Sequence, residues 1–455
     1  MVVKEAIGRA MKLGALLALW TVTAPAAVWT VRPAGPLVHV QQAVDAAVPG
    51  DTIRIEPGTY LGNVLLDRKL TLEGLGHPVI RGEGRSSVIT IKAEGCIVRN
   101  LVIEHSGEML AEEDSGVLLH SGGNRIEHNE LRDVLFGIYL YQSDNNVLLD
   151  NVIRGRAWLG MGERGAAIHI WNSTGNTITG NTISDARDGM YLQNAYHTLV
   201  THNRVHDLRY GLHYMSSDDN RFEDNQFYDS VAGAAIMYSR RIEFRRNIFR
   251  HNRGFSSFGI LFQDSDNCTA EENAFVDNAV GIFMEALRAS TFRRNLIAAN
   301  DTAIQAFSSA SGNTFSENNF IANLSPIEVI GRTAGSRWSE AGRGNHWSDY
   351  QGYDLDENGL GDVPFKIQNV FERMEGDYPR LRLYLFSPAS QALALSEKIV
   401  PLIRGSEEYD RFPLMQPVAM HVDARPAPQQ EPYRIWPPLA MLGASSLVLA
   451  WGRFR

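Results

Sequence analysis

The sequence predicts an all-β chain: a right-handed parallel β-helix of about ten or more coils of ~22 residues, with an N-terminal cap helix and a membrane-associated helical tail at the C-terminus. Three observations carry this. Asn181, Asn203, Asn225 and Asn247 stand 22 residues apart, and a fixed period of that size marks a solenoid. The same register extends outward through Asn100, Asn129 and Asn151, and onward through Asn273, Asn295 and Asn318, broken by three insertions and a single-residue slip. Apolar side chains keep a fixed offset from these asparagines, as in Ile183, Val205, Phe227 and Phe249 two places after, and Ile178, Val200, Phe222 and Phe244 three places before. Eight residues after many of the asparagines comes Gly-apolar-x-apolar, as in Gly189-Met190-Tyr191-Leu192 and Gly211-Leu212-His213-Tyr214. Short period-2 segments split by turn residues, three to a repeat, describe one β-helix coil.

Residues 1–26 read as a signal peptide. Lys4, Arg9 and Lys12 precede the apolar run 13–20, and Ala24-Pro25-Ala26 offers a small-residue cleavage site. An uncleaved anchor is the alternative, but the apolar run is short for a span. Residues 27–330 are the β-helix. Within them residues 40–47 have an amphipathic helical pattern and would plug the open first coil, whose core and unpaired backbone are otherwise exposed. The asparagine column sits at a bend, where its amides can bond backbone groups of successive coils. A second column runs through Asn124, Asn146, Asn176, Thr198, Asn220, Cys268, Ser290 and Asn313. Cys96 and Cys268, the two cysteines, lie too many coils apart to pair.

Residues 331–377 form a turn-rich closing segment. Its Asp354-x-Asp356-x-Asn358-Gly359 matches the first half of a calcium loop, but Phe365 stands where a bidentate glutamate would be. Calcium bound by Asp354, Asp356 and Asn358 and a metal-free Asx-turn cluster are the two readings. Residues 378–425 form a docking segment, with Tyr384, Phe386, Leu393 and Leu395 as its apolar face. Residues 426–434 are a Pro/Gln linker. Residues 435–455, with Trp436 and Leu439, are an uncharged hydrophobic helix ending in arginines, at the short limit for a span.

The chain is 44% hydrophobic with a net charge of −9, too acidic to suggest a nucleic-acid partner. Chemistry must sit on an outward strip, since inward residues make the core. The outward residues of the Gly-apolar-x-apolar strand form two columns: Leu118, Tyr139, His169, Tyr191, His213, Ala235, Leu261, Phe283 and Gln305; and His120, Tyr141, Trp171, Gln193, Met215, Met237, Gln263, Glu285 and Phe307. A bare solvated sheet would show Lys, Glu and Thr instead. One reading is a sugar-binding groove or a polysaccharide-degrading site, which would normally place two carboxylates close together. Here Glu285 is alone on the strip, and Asp144, Asp218, Asp219, Asp264 and Asp266 have turn contexts. The other reading is a soft metal. His213 and Met215 share a strand and Met237 follows in the next coil, a donor set suited to Cu(I). His169, two coils earlier, would serve a second copper site, and Met415, Met420 and His421 a weaker one.

The chain resembles the NosD family, periplasmic maturation proteins for nitrous oxide reductase. The coils are similar to the wider CASH group of carbohydrate-binding proteins and sugar hydrolases, a likeness of fold alone. The closer match is Asn345-x-Trp347-x-Asp349-Tyr350-x-Gly352-x-Asp354-x-Asp356-x-Asn358-Gly359-x-Gly361-Asp362-x-Pro364, followed by Tyr378-Pro379 and Leu383-Tyr384-Leu385-Phe386-Ser387-Pro388-Ala389. The resemblance implies a non-enzymatic copper-handling scaffold of denitrification, periplasmic and associated with the inner membrane. It would dock on the membrane subunit of an ABC-type complex with its ATPase, take copper from a metallochaperone, and pass it to apo-nitrous oxide reductase. No copper-ligand motif carries over residue by residue, so the ligands named above rest on the ladder argument alone.

Overall fold

A computed structural model describes residues 26–34, 36–331, 335–367 and 408–420. The chain winds as a parallel β-helix with three faces: a first sheet of 13 strands, a second of 13 and a third of 12. Each coil gives one strand to each face, as in Thr177–Thr179, Thr182–Ser184 and Asp188–Tyr196. Pairing is parallel and in register, so like residues stack coil upon coil. The helix Val40–Ala46 covers the N-terminal end with Val40, Ala43 and Val44 buried. A strand, Val28–Val31, precedes it and pairs with Thr52–Ile55, so the coil starts before the cap rather than after it.

The interior is a set of side-chain columns. Phe222 stacks on Phe244 at 5.0 Å, Phe249 on Phe275 at 5.0 Å and Phe292 on Phe315 at 4.6 Å, all fully buried or nearly so. The asparagine ladder satisfies the bend between the first and second faces. Asn203 donates its amide to Asn225 Oδ1 and to Ile178 O, and each neighbour repeats the pattern. A third ladder, missed in the sequence, runs through Asn252, Asn278, Asn300 and Asn323 at the bend before the third face. The glycine of the repeated motif has a steric reason. A Cβ on Gly189 would lie 2.5 Å from Gly211 O, and one on Gly211 2.6 Å from Gly233 O, so any side chain would push the coils apart. Cys96 and Cys268 are both free and buried, and burial pushes the Cys268 thiol up to about 12.

The last coil is closed by residues from both sides of the 368–407 stretch. Trp347 stacks on Phe320 at 4.1 Å. Fully buried Asp410 accepts hydrogen bonds from Asn345 N (2.7 Å), Trp347 Nε1 (3.0 Å) and Phe412 N (3.1 Å). Val418 and Asn319 exchange two further bonds. Residues 408–420, part of the segment read as a docking region, therefore belong to the cap. Asp410→Ala is expected to strip three donors of their acceptor and lower stability by about 2–4 kcal/mol, measured as a shift of the thermal midpoint.

Tyr384, Phe386, Leu393, Leu395, Trp436, Leu439 and His421, with residues 1–25 of the segment read as a signal peptide and all of the segment read as a C-terminal helix, lie outside the described residues. Among the described residues no helix is long and apolar enough to cross a membrane.

Candidate metal centre

The outer surfaces of the three faces differ in chemistry. The first carries ion-pair ladders, with Arg99 bridging to Glu73 at 2.7 Å, Arg221 to Glu243 at 3.0 Å and Arg293 to Glu317 at 2.8 Å. The second does likewise, with Glu104 paired to Arg81 and Arg132 at 2.7 and 2.9 Å. Such exposed pairs contribute little stability, and are what a solvated sheet normally shows. The third face is different. His120, Tyr141 and Trp171 form an aromatic run, with Tyr141 stacked on Trp171 at 4.7 Å, and Gln193, Met215, Met237 and Gln263 continue the column in register.

At its centre lies His213. Asp188, fully buried at the start of the preceding strand, holds His213 Nδ1 at 3.1 Å and Arg209 through two bonds of 2.9 and 2.6 Å. Burial works to raise the Asp188 carboxyl, but the hydrogen bonds from His213 and Arg209 outweigh it and hold the carboxyl below its ordinary value. The imidazole is further fixed between Tyr191 at 4.7 Å and Tyr210 at 5.3 Å. A carboxylate on one ring nitrogen orients the ring, and with Nδ1 donating to it Nε2 would be the nitrogen left to take a metal, as in carboxylate–histidine–metal arrangements. Met215 and Met237 are register partners, both half-buried. The Tyr191 hydroxyl lies 3.7 Å from Met215 Sδ and donates to Gln193 Oε1 at 2.9 Å. Among the described residues no three His, Cys, Asp or Glu side chains converge as a metal cluster. The soft donors on this stretch of the face are one oriented imidazole, a thioether two residues along the same strand, and a second thioether opposite it in the next coil, residue types that suit Cu(I) and would serve a hard divalent cation poorly.

The sequence named His213, Met215 and Met237 but not Asp188 or Arg209. Asp188 opens its strand and Arg209 immediately precedes the next one, at the corner where polar residues read as ordinary turn chemistry. Spacing gave no sign that a carboxylate one coil earlier would reach the imidazole.

The structure also places the other residues singled out by the sequence. His169 does not lie on an open strip. It is 8% exposed and Tyr139 is 2% exposed, because Phe136 packs on both rings, and Leu159 and Ala166 of the second insertion pack in turn with Phe136. All three insertions leave the same corner, between Val102–Glu104 and Ser115–Leu119, Val152–Arg154 and Ile168–Thr174, and Ile248–Arg250 and Phe258–Gln263. Leu135, Phe136 and Ala166 form a small apolar cluster there, with Leu159 and Tyr191 packed on it. Ala235 is buried as well. Met415 and Met420 belong to the C-terminal cap, away from His213; Met415 N bonds Gly359 O there. Asp354, Asp356 and Asn358 form an Asx-turn cluster, with Asp354 accepting from Asn358 N and Gly359 N at 3.1 and 2.8 Å. Asp144, beside the aromatic run, accepts Thr174 N at 2.7 Å, as a turn residue would.

Comparison with known proteins agrees on the family. A model of the family described as "Periplasmic copper-binding protein (NosD)" matches residues 153–352. The chain is 30% identical over 372 residues to a probable ABC transporter binding protein NosD of Pseudomonas aeruginosa, covering 79% of this chain and 87% of that protein. It is 27% identical over 377 residues to the protein of the same description in Stutzerimonas stutzeri, covering 80% and 86%. Among solved structures it is similar to the Yersinia enterocolitica family 28 exopolygalacturonase, with a TM-score of 0.53 and 13% identity over 70% of this chain and 79% of that one. That last likeness is one of fold alone. With these coils and this coverage of its relatives, the chain belongs to the NosD family.

Proposed function

We propose that this chain is a periplasmic, non-enzymatic copper carrier that works on an ABC-type membrane complex with its ATPase. It receives Cu(I) from a metallochaperone and gives it to apo-nitrous oxide reductase as that enzyme's copper centre is assembled. The cargo sits on the third face, held by His213 Nε2 with Met215 and Met237. The observation that carries this reading is His213 oriented by buried Asp188, on the strand that also carries Met215, whose register partner is Met237. The family's description as periplasmic and copper-binding and the relatives' naming as ABC transporter binding proteins support it. Contact with the inner membrane complex is assigned to residues 378–407 and 435–455, which carry the apolar residues of the sequence reading.

Thioethers exchange quickly and bind Cu(I) without releasing a proton, which suits a carrier that must let go. The test is an anaerobic Cu(I) competition titration of the exported chain beside the Met215→Ala, Met237→Ala double variant. The variant is expected to lose affinity by more than roughly 100-fold, beyond what an outer partner of a ligand contributes. Equal affinity in both proteins would remove the cargo from this strip.

A further inference from the structure

Two of the insertions at the corner between the second and third faces stand apart along the coil. They occupy residues 155–167 and 251–257. Between them three successive coils turn that corner in three residues each: 185–187, 207–209 and 229–231. The result is a notch with an insertion at each end. Four coil steps of about 4.8 Å separate the two insertions, roughly 19 Å, which is enough to seat one helix or one extended segment of another protein. A cleft of about 450 Å³ lies in this notch. Met161 of one insertion and Arg253 of the other line it together with Asp207, Asp229, Val231 and His251.

The insertions carry apolar side chains, and the floor between them is acidic. Phe255, at 97%, and Trp158, at 68%, are the most exposed of the Phe, Tyr and Trp side chains among the described residues, and there is one on each insertion. Met161 and Val231 are exposed as well. These side chains add nothing to the core, and such groups amid polar surface mark protein contacts. On the floor an aspartate recurs coil by coil, as Asp185, Asp207 and Asp229. Asp207 is paired with His206 at 2.6 Å, and Asp229 forms no ion pair among the described residues. The cations nearby are engaged elsewhere. Arg253 holds Asp277 at 2.6 Å and Asp301 at 3.2 Å, Arg209 holds Asp188, and Arg164 bonds the carbonyls of Leu159 and Ala157. Like charges one coil step apart repel, and a cation placed over them relieves the repulsion.

We propose that the notch is a protein-docking cleft. Its occupant is a segment with a lysine or arginine between bulky apolar side chains, presented by a protein that exchanges cargo with the third face. The choice of that protein rests on the carrier reading; the cleft itself does not. The cation sits over Asp207 and Asp229, and its apolar neighbours meet Met161, Val231 and the aromatic side chains of the insertions. The negative floor disfavours the anionic headgroups of a membrane surface. The notch is also continuous with the third face. Leu208 lines its floor, and the next residue, Arg209, shares Asp188 with His213. A protein seated here is held at the edge of the strip that carries His213, Met215 and Met237.

The test measures binding of the copper-free exported chain to the metallochaperone and to apo-nitrous oxide reductase of the same organism, by biolayer interferometry. The Trp158→Ala, Phe255→Ala variant is expected to bind at least one of the two roughly 30-fold more weakly. The Asp207→Asn, Asp229→Asn variant is expected to associate more slowly and to lose most of the salt dependence of association. All four side chains are exposed, so the thermal midpoint and the Cu(I) affinity should stay at the wild-type values in both variants. Binding that is the same in wild type and both variants, or absent from wild type, would overturn the cleft. So would variants that lose only self-association in sedimentation, or only binding to phosphatidylglycerol vesicles. Loss in the aromatic variant alone would overturn the cationic occupant. Cleft-dependent binding by a chain with no Cu(I) affinity would leave the cleft standing and overturn the copper cargo.

Discussion

Asn225→Ala is expected to lower the free energy of unfolding by about 3–5 kcal/mol, read from the denaturant midpoint at unchanged slope. Asn225 Oδ1 accepts both Asn203 N at 3.0 Å and Asn203 Nδ2 at 2.9 Å, and its own amide donates to Val200 O at 2.8 Å and Asn247 Oδ1 at 2.9 Å. The side chain is fully buried. Alanine leaves the Asn203 N–H without its acceptor and the Val200 carbonyl without this donor, in a place water does not reach. Each orphaned buried group costs about 1–3 kcal/mol, and the lost volume adds to that. The control is Thr201→Ala at the half-buried outer position of the adjoining strand, where a change within about 1 kcal/mol is expected. Equal effects at the two sites would mean that the ladder is not what holds the bend.

Asp188 should affect both stability and copper. Asp188→Ala removes the fully buried partner of Arg209 and His213, and a loss of about 3 kcal/mol is expected. The estimate is at the low end for a buried pair because the Arg209 side chain is 34% exposed. Asp188→Asn keeps the volume and should fold, yet it no longer presents a carboxylate to His213 Nδ1. Its Cu(I) affinity is expected to drop roughly 10–100-fold. The acid profile gives an independent readout. The folded Asp188 carboxyl titrates below its unfolded value near 3.9, so the unfolded chain binds the proton more readily. Its contribution is therefore fully present above that value and is lost as the pH falls below about 4. The Asp188→Asn variant should lack this part of the acid dependence, which chemical denaturation between pH 3 and 6 would measure. An unchanged profile would mean that Asp188 is not held ionised by its partners.

The extent to which the site was readable follows from the periodicity. In a β-helix the register is fixed by the repeat, so Met215 and Met237 could be placed side by side from their spacing alone. The same logic put Phe222 above Phe244 and Cys268 in a ladder of small residues. It failed where residues leave the repeat. The insertions of residues 105–114 and 155–167 carry no period, and nothing in their sequence says that they turn back over the third face. His169 therefore looked exposed, although its position in the column was right. Asp188 was missed for a related reason. It opens a strand next to a bend, where an aspartate is ordinarily a turn former, and only the stacking of two coils brings it to His213. The cap presents the same difficulty at longer range: Asp410 meets Asn345 and Trp347 across more than 60 residues, at separations of 65 and 63.

By itself, then, the sequence determined the three-faced coil, its asparagine and phenylalanine columns, the N-terminal plug, and the imidazole–thioether character of one outer column. These depend on local spacing repeated many times, and each repeat reinforces the same register. The tertiary structure alone decided which outward residues stay open, which carboxylate orients His213, that His169 is enclosed, and that residues 408–420 close the last coil. Those features come from single, non-repeating contacts between segments far apart in the chain, and their chemistry exists only once the coils have stacked.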